Sequence, residues 1–315
     1  MKTDPIHVSI CLPVYNRADQ LGATIRSVLE NEYPYFELII IDNGSTDETP
    51  AVISSFDDER IRSFRNEETV KAGENWNIAL GKSRYDLTLM VHSDDELDKS
   101  FLAKAVKKYR EFEGKVPIII GQARLPARKG GAHIFPTYID GKVYKAGEDA
   151  LLTVMDECPH PCVQLVEKRC YEVAGYYISG YYEENMAEEI FGRLYSRFDF
   201  VFVRAVAMHL GGEQNPSKTA QIGLKSWTRP YFISRYARMK WEHLAFLELD
   251  PTTRLKLYRY YVARACKGIF YPVFRQGHRK QALCYIRTAI SMDKSILFEP
   301  KSLVKMSLVF LGLKF

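Results

Sequence analysis

The sequence predicts an α/β fold built on an open, mostly parallel sheet flanked by helices, and three observations predict it. Short apolar runs of strand length alternate with stretches of helical period. Phe36-Glu37-Leu38-Ile39-Ile40-Ile41 is nearly continuous in apolar residues, as suits a central parallel strand covered on both faces. Two such runs break off at polar turns, Asp42-Asn43-Gly44 and Ser93-Asp94-Asp95, and open sheets bind their ligands beyond the carboxyl ends of strands.

The elements follow in order. His7–Pro13 reads as a first strand. Residues 18–31 carry Leu21, Ile25, Val28 and Leu29 at helical spacing. After the second strand, Ser45, Thr46 and Asp47 offer caps for a helix whose first turn can hold Pro50. A short strand is expected around Ile61–Arg65, a helix at Ala72–Lys82, a strand at Leu87–Val91, a helix at Ser100–Phe112 and a strand at Val116–Ile120. The β-α-β-α order argues for helices on both sides of the sheet. Residues 121–182 read as irregular. Beyond 216, Arg229–Leu249, Thr252–Tyr271 and His278–Met292 read as helices, and Lys301–Phe315 as an apolar tail. The expected division is 1–215 for the α/β part and 216–315 for a basic helical region.

Composition narrows the function classes. With 46% hydrophobic and 26% charged residues in 315, a packed core is expected. No eighteen-residue apolar stretch suggests a membrane span, and the first residues lack the apolar run of a secretory signal. Cytoplasmic residence, peripheral at the inner face of the membrane, is the resulting expectation. The net charge of +5 hides an asymmetry: residues 1–215 hold 25 Lys+Arg against 34 Asp+Glu, and residues 216–315 hold 19 against 5. A net of −9 is thus joined to a net of +14, which fits an anionic membrane surface as partner for the second part, with its short apolar tail lying in the interface. Nucleic acid is not an expected partner. Cys158, His160, Cys162 and Cys170 invite a zinc reading, but Cys158-Pro-His-Pro-Cys162 lacks a structural-zinc spacing and a second ligand pair is missing. Ordinary buried thiols are expected.

Four motifs carry the chemistry: Pro13-Val14-Tyr15-Asn16-Arg17, Asp42-Asn43-Gly44-Ser45-Thr46-Asp47, the trio Asn66, Gly73 and Asn77, and Ser93-Asp94-Asp95-Glu96-Leu97. In this order and spacing the set resembles the family 2 glycosyltransferases, which adopt the GT-A fold. The resemblance covers roughly residues 6–215. It implies a non-processive, inverting transferase that moves a sugar from a nucleotide-diphosphate donor, a UDP-sugar by analogy, to a glycan or lipid-linked acceptor in polysaccharide assembly. It places Asp95 as the direct ligand of Mn²⁺ or Mg²⁺ and Asp94 near the metal and the donor's ribose or sugar.

The residue types suit those tasks. Tyr15 can cover a flat base, and Asp42 can accept from a base N–H or a ribose hydroxyl. Carboxylates such as Asp94 and Asp95 suit a hard cation beside a pyrophosphate. Pro13, Asn16 and Asn77 complete the expected donor set. Many relatives have Asp where this chain has His92, which is open to being a ligand, a donor to phosphate or a supporting residue. For the acceptor's proton the resemblance points to an acid near the start of a helix after Gly175-Tyr176-Tyr177, and Glu189, then Glu188, are the candidates, with Glu183/Glu184 as the alternative. His209, within Met208–Gly212, resembles a His of a loop that closes over the donor. His160-Pro161 echoes a position before the acceptor element. A GT-A protein that has lost its chemistry and only binds is the competing reading. A dinucleotide oxidoreductase is disfavoured because no GxGxxG follows strand one, and a processive synthase because no Gln-x-x-Arg-Trp element occurs.

Overall fold

The apolar runs become strands Val8–Val14 (β1), Phe36–Asp42 (β2), Ile61–Arg65 (β3) and Leu87–Met90 (β4). The structure is a computed structural model describing residues 4–126, 131–178, 186–211 and 232–311. β1 and β2 are buried along their whole length, which is why both read as continuous apolar runs. Each fully buried Ile or Leu there contributes roughly 1.5–3 kcal/mol of transfer free energy. Between them the helices Ala18–Leu29 (α1), Thr49–Ser54 (α2) and Ala72–Gly81 (α3) cross over. α1 buries Leu21, Ile25 and Val28 on one stripe, the expected face. Asp47 accepts from Thr49 N–H at 3.0 Å, and Pro50 falls in the first turn of α2.

The rest of the sheet comes from Asp95–Leu97 (β5), Ile118–Pro126 (β6), Ala132–Phe135 (β7), Val143–Tyr144 (β8), Gln164–Glu167 (β9) and Phe200–Leu210 (β10). The ten-stranded order is β3-β2-β1-β4-β9-β6-β10-β5, with β7 on β6 and β8 on β10. β3, β2, β1 and β4 are mutually parallel, as are β6 and β10, and β9 enters antiparallel between β4 and β6. Phe101–Glu111 (α4), Glu148–Asp156 (α5), Lys168–Ala174 (α6) and Met186–Tyr195 (α7) complete this part. The mostly parallel, helix-flanked α/β sheet is therefore as expected.

Two segments differ from the sequence reading. Residues 121–182 are not merely irregular, since they supply the end of β6 and all of β7, β8, α5, β9 and α6. Met208–Leu210 closes the long strand β10 rather than forming a loop. Gly121 shows why β6 carries a glycine: a Cβ there would lie 2.4 Å from Phe101 Cε2, so only a bare backbone lets α4 seat that ring on the strand.

Backbone contacts divide the chain into Met1–Ser217 and Lys218–Phe315. The second unit holds Phe232–Leu244 (α8), Pro251–Arg275 (α9), Arg279–Met292 (α10) and Pro300–Leu311 (α11). Its own core includes Val262, Phe270, Phe274, Tyr285, Met306 and Val309. Asp250 caps α9 by accepting from Thr252 and Thr253 N–H at 2.9 and 3.0 Å. The apolar tail of the sequence is a helix as far as Leu311.

Candidate functional site

The carboxyl ends of β1, β2 and β3 are tied together by side chains. Val14 stands opposite Asp42, and Asp42 opposite Arg65. Asn16, at φ +50°, accepts from Thr46 N–H at 2.8 Å, while its own N–H donates to Ser45 Oγ at 3.0 Å. Asn tolerates this left-handed backbone better than most residues. These bonds fix the 15–17 turn and leave the Tyr15 ring exposed, while Pro13 stays buried in β1. Asp42 is buried, accepts from Ser45 N–H at 2.9 Å, and takes a guanidinium bond from Arg65. Arg65 also donates to Ser45 O at 2.8 Å.

Amide side chains hold the next turn. Asn66 Nδ2 donates to Asn43 Oδ1 and Asn75 Oδ1, both at 2.9 Å. Asn43 pairs in both directions with the backbone of Val70, at 2.8 and 2.9 Å. Asn77 was expected beside the donor, yet its amide is spent elsewhere. It donates to Tyr177 O at 2.8 Å and accepts from Tyr177 N–H at 3.0 Å, which anchors residues 175–177 to α3.

After β4 the chain turns sharply, and Asp95 N–H donates to His92 O at 3.2 Å. This turn sets His92 and Asp95 side by side: His92 Nδ1 lies 3.7 Å from Asp95 Oδ2. Antiparallel pairing of β9 with β4 puts the residues just before β9 at the same sheet end. Those residues are His160 and the short 3-10 turn Pro161–Val163. His160 Nε2 is 3.9 Å from Asp95 Oδ2. Donor atoms of His92, Asp95, His160 and Cys162 all lie within 4.8 Å of one another.

Asp95 and Cys162 are buried and His92 and His160 half-buried, and the cluster is under-bonded. Asp95 is 3% exposed, and its Oδ1 accepts from Gly211 N–H at 3.1 Å. Burial, aided by the neighbouring Asp94 carboxylate, pushes the Asp95 carboxyl up to about 8. Burial holds the His92 imidazole below its usual value, although Asp94 pulls the other way. His160 is held well below its usual value by burial and by His92, and the Cys162 thiol is pushed up by burial and by Asp95. His92 Nε2 is buried with no hydrogen-bond partner. Trp76 packs against the His92 ring at 4.8 Å, and Tyr177 meets Trp76 edge-on at 5.0 Å. A largely shielded set of nitrogen, sulfur and oxygen donors with so few internal partners fits a cation. Cys170 is buried and Cys158 half-buried, both outside this cluster. The sequence reading weighed His160 and Cys162 for zinc with Cys158 and Cys170 and set that aside for want of a second ligand pair, because the residues that join them, His92 and Asp95, come from another part of the chain.

The other expected site residues are not among these four donors. Glu189, on α7, is 6% exposed, and Arg193 donates to both of its oxygens at 2.6 Å. Arg193 also binds the carbonyls of Ala174 and Tyr176. Glu189 therefore helps hold the turn that follows α6. Glu188 precedes it on α7, and Glu183/Glu184 lie outside the described residues. His209 faces Asp98, with Nε2 3.2 Å from Asp98 Oδ2, and is not among the donors around Asp95.

Comparison with known proteins agrees with this geometry. Residues 9–129 match Glycosyl transferase family 2. The chain is 35% identical over 92 residues to the Escherichia coli UDP-Glc:alpha-D-GlcNAc-diphosphoundecaprenol beta-1,3-glucosyltransferase WfgD, covering 29% of this chain and 36% of that protein. The chain spans only 33%, 40% and 49% of the length of three further curated relatives. Among solved structures, Staphylococcus aureus TarS 1–349 in complex with UDP-GlcNAc superimposes with a TM-score of 0.63 at 12% identity, covering 92% of this chain and 91% of that one. The mannosyltransferase PcManGT from Pyrobaculum calidifontis, in complex with GDP-Man and Mn²⁺, gives 0.57 at 13% identity, covering 98% and 86%. At such identities the structures speak for the fold, and the family match speaks for the strand-end motifs. Residues 9–129 thus carry the likeness to the family 2 glycosyltransferases, on a fold shared with the GT-A structures.

Proposed function

We propose that this protein is a non-processive, inverting glycosyltransferase that moves a sugar from a nucleotide-diphosphate donor, a UDP-sugar, to a hydroxyl of a glycan or lipid-linked acceptor in polysaccharide assembly. The observation that carries the reading is the family match on β1–β6, with Asp42 and the Asp94/Asp95 pair at carboxyl ends on one edge of the sheet. Tyr15 covers the base, and Asp42, held by Arg65 and Ser45, accepts from the base or ribose. Asn16 shapes that turn. Asp94 lies toward the ribose or sugar, and Asp95 holds a divalent cation, Mn²⁺ or Mg²⁺ in the first instance. When bound, that cation would stabilise the departing diphosphate as a Lewis acid.

In the transfer the acceptor oxygen forms a bond to the anomeric carbon from the face opposite the leaving group. The bond to the diphosphate breaks, and its electron pair leaves with the nucleotide. A carboxylate takes the acceptor's proton, a contribution of about 10²–10⁴ in rate. Both oxygens of Glu189 are engaged by Arg193, so we assign the proton to Glu188 and the positioning of the neighbouring turn to Glu189. The same engagement favours one second reading, a protein that binds the donor without turning it over.

Thermal shifts with UDP and GDP, with and without Mn²⁺, test the donor site. A nucleotide at 100 times its Kd adds about 2.7 kcal/mol of stability. UDP with Mn²⁺ is expected to give the largest shift, and radiolabel transfer from UDP-sugars to a polyprenyl-diphosphate glycan then separates enzyme from binder. Absence of any nucleotide shift would remove both readings.

The second unit supports an anionic membrane surface as partner. On α11, Ser302, Met306 and Val309 face the core, while the opposite side exposes Val304 at 63% and Leu311 at 69%. Phe298, just before it, is 83% exposed. Lys294, Lys301 and Lys305 are exposed among them. No helix of the described residues is long and apolar enough to cross a membrane, so this face would lie in the interface. Sedimentation with anionic vesicles at low salt, release at high salt and loss in Val304→Asp/Leu311→Asp are expected. Equal binding to neutral and anionic vesicles would sink the assignment.

A further inference from the structure

The donors around Asp95 do not make a plain oxygen site. A hard cation such as Mg²⁺ selects carboxylates, carbonyls and water, yet three of the four clustered side chains offer imidazole nitrogen or sulfur. That mixture suits the borderline transition ions, Zn²⁺ and Co²⁺ among them. Tetrahedral bonds of the usual zinc lengths place neighbouring ligand atoms about 3.3–3.8 Å apart. The separations of Asp95 Oδ2 from His92 Nδ1 and His160 Nε2, 3.7 and 3.9 Å, fall near the upper limit of that span and just beyond it. The whole set lies within 4.8 Å, so closing on an ion needs side-chain shifts of about 1 Å or less by the same bond lengths.

The surroundings are those of a held ligand set. Gly211 N–H binds one oxygen of Asp95 and leaves the other toward the two imidazoles. Trp76 packs against the His92 ring. One contact must give way. His160 Nδ1 accepts from Cys162 N–H at 3.3 Å, and coordination through Nε2 would put the ring proton on Nδ1. That bond is longer than the usual range, so its loss is a small cost beside a metal–nitrogen bond.

We propose that the cation at Asp95 is also held by His92, His160 and Cys162, making a nitrogen- and sulfur-rich site for a Zn²⁺-class ion. This rests on the transferase reading for its place beside the donor, but its chemistry comes from the four side chains. His92 then stands as a ligand where many relatives carry Asp.

The test uses the full chain, stripped with a chelator and titrated with Co²⁺ alone. The parent should bind one Co²⁺ with thiolate-to-cobalt absorption in the near ultraviolet, displaced by Zn²⁺ and not by a large excess of Mg²⁺. Cys162→Ser should lose that absorption and bind Co²⁺ roughly tenfold or more weakly, the loss typical even for residues outside the ligand set. His92→Asn should weaken binding similarly while keeping the absorption, which carries the test if Cys162→Ser does not fold. Cys284→Ser, exposed in the second unit, should change neither. Absorption that survives Cys162→Ser, its absence from the parent, or even competition by Mg²⁺ would overturn the proposal. A UDP shift that persists with Mg²⁺ in those cases would leave the transferase reading standing.

Discussion

The two ends of the sheet in the first unit treat a buried carboxylate in opposite ways. At the amino ends of β1–β4, Glu37 is 5% exposed and fully bonded. It accepts from Ser9 Oγ at 2.7 Å, Arg62 at 2.6 Å and Arg84 N–H at 2.8 Å. Burial works against its charge, but those bonds outweigh it and hold the Glu37 carboxyl below its usual value. At the carboxyl ends, Asp95 is equally buried and has Gly211 N–H as its hydrogen-bond donor, with two imidazoles and a thiol close by but not bonded to it. The first end is finished as structure. The second is left with unspent donors, which is the pattern of a site that awaits a ligand. The same residue class is therefore fully bonded at one end and left under-bonded at the other.

The sharpest way to break that comparison is Asp95→Asn. Metal-dependent transfer should fall below detection while the metal-free variant unfolds at or above the parent's temperature, because a neutral amide is cheaper to bury than an under-bonded carboxylate. Turnover near the parent's at limiting Mn²⁺, or a large loss of stability, would show that Asp95 is structural after all.

The next largest effect separates the two acids of α7. Glu188→Gln should lower kcat by about 100-fold with donor affinity unchanged. Glu189→Gln should leave Arg193 partly unpaired and cost about 3 kcal/mol of stability, as expected for breaking a buried ion pair. Chemical denaturation and steady-state kinetics on both variants decide it, and a reversed ranking would return the base to Glu189.

The smallest effect lies at the amino end. Glu37→Gln should destabilise the fold by about 1–3 kcal/mol at neutral pH through the lost charge-assisted bonds, with no change in metal binding. Because the folded carboxyl is held below the usual 4.5, its contribution is present above that value and fades as pH falls through the folded one. The gap in stability between parent and variant should therefore close on acidification. A gap that stays constant from pH 7 to strongly acid conditions would contradict the charged network.

Much of this was written locally. β1, β2 and β4 announce themselves because a strand buried on both faces must be apolar nearly throughout, and the polar residues that stop them, Asp42 and Ser93-Asp94-Asp95, mark the edge where they end. The helices after 232 follow from their period, and Asp250 from its place before Pro251. The Glu189–Arg193 pair was also readable, being four apart on a helix. β10 could have been found from the apolar run Phe200–Val203 and the alternation after it.

What only the tertiary structure decided is the company that Asp95 keeps. β9 is four residues long, too short for its pattern to state a partner, and its pairing with both β4 and β6 depends on contacts far apart in sequence. That pairing carries His160 and Cys162 to the turn holding His92 and Asp95. Asn77 and His209 were drawn away for the same reason, to Tyr177 and Asp98. Local sequence determines which segments can be strands and where they must stop, because burial and turn chemistry act on neighbouring residues. Which donors meet at one ion is settled by strand order, since antiparallel insertion alone brings the start of β9 to the end of β4.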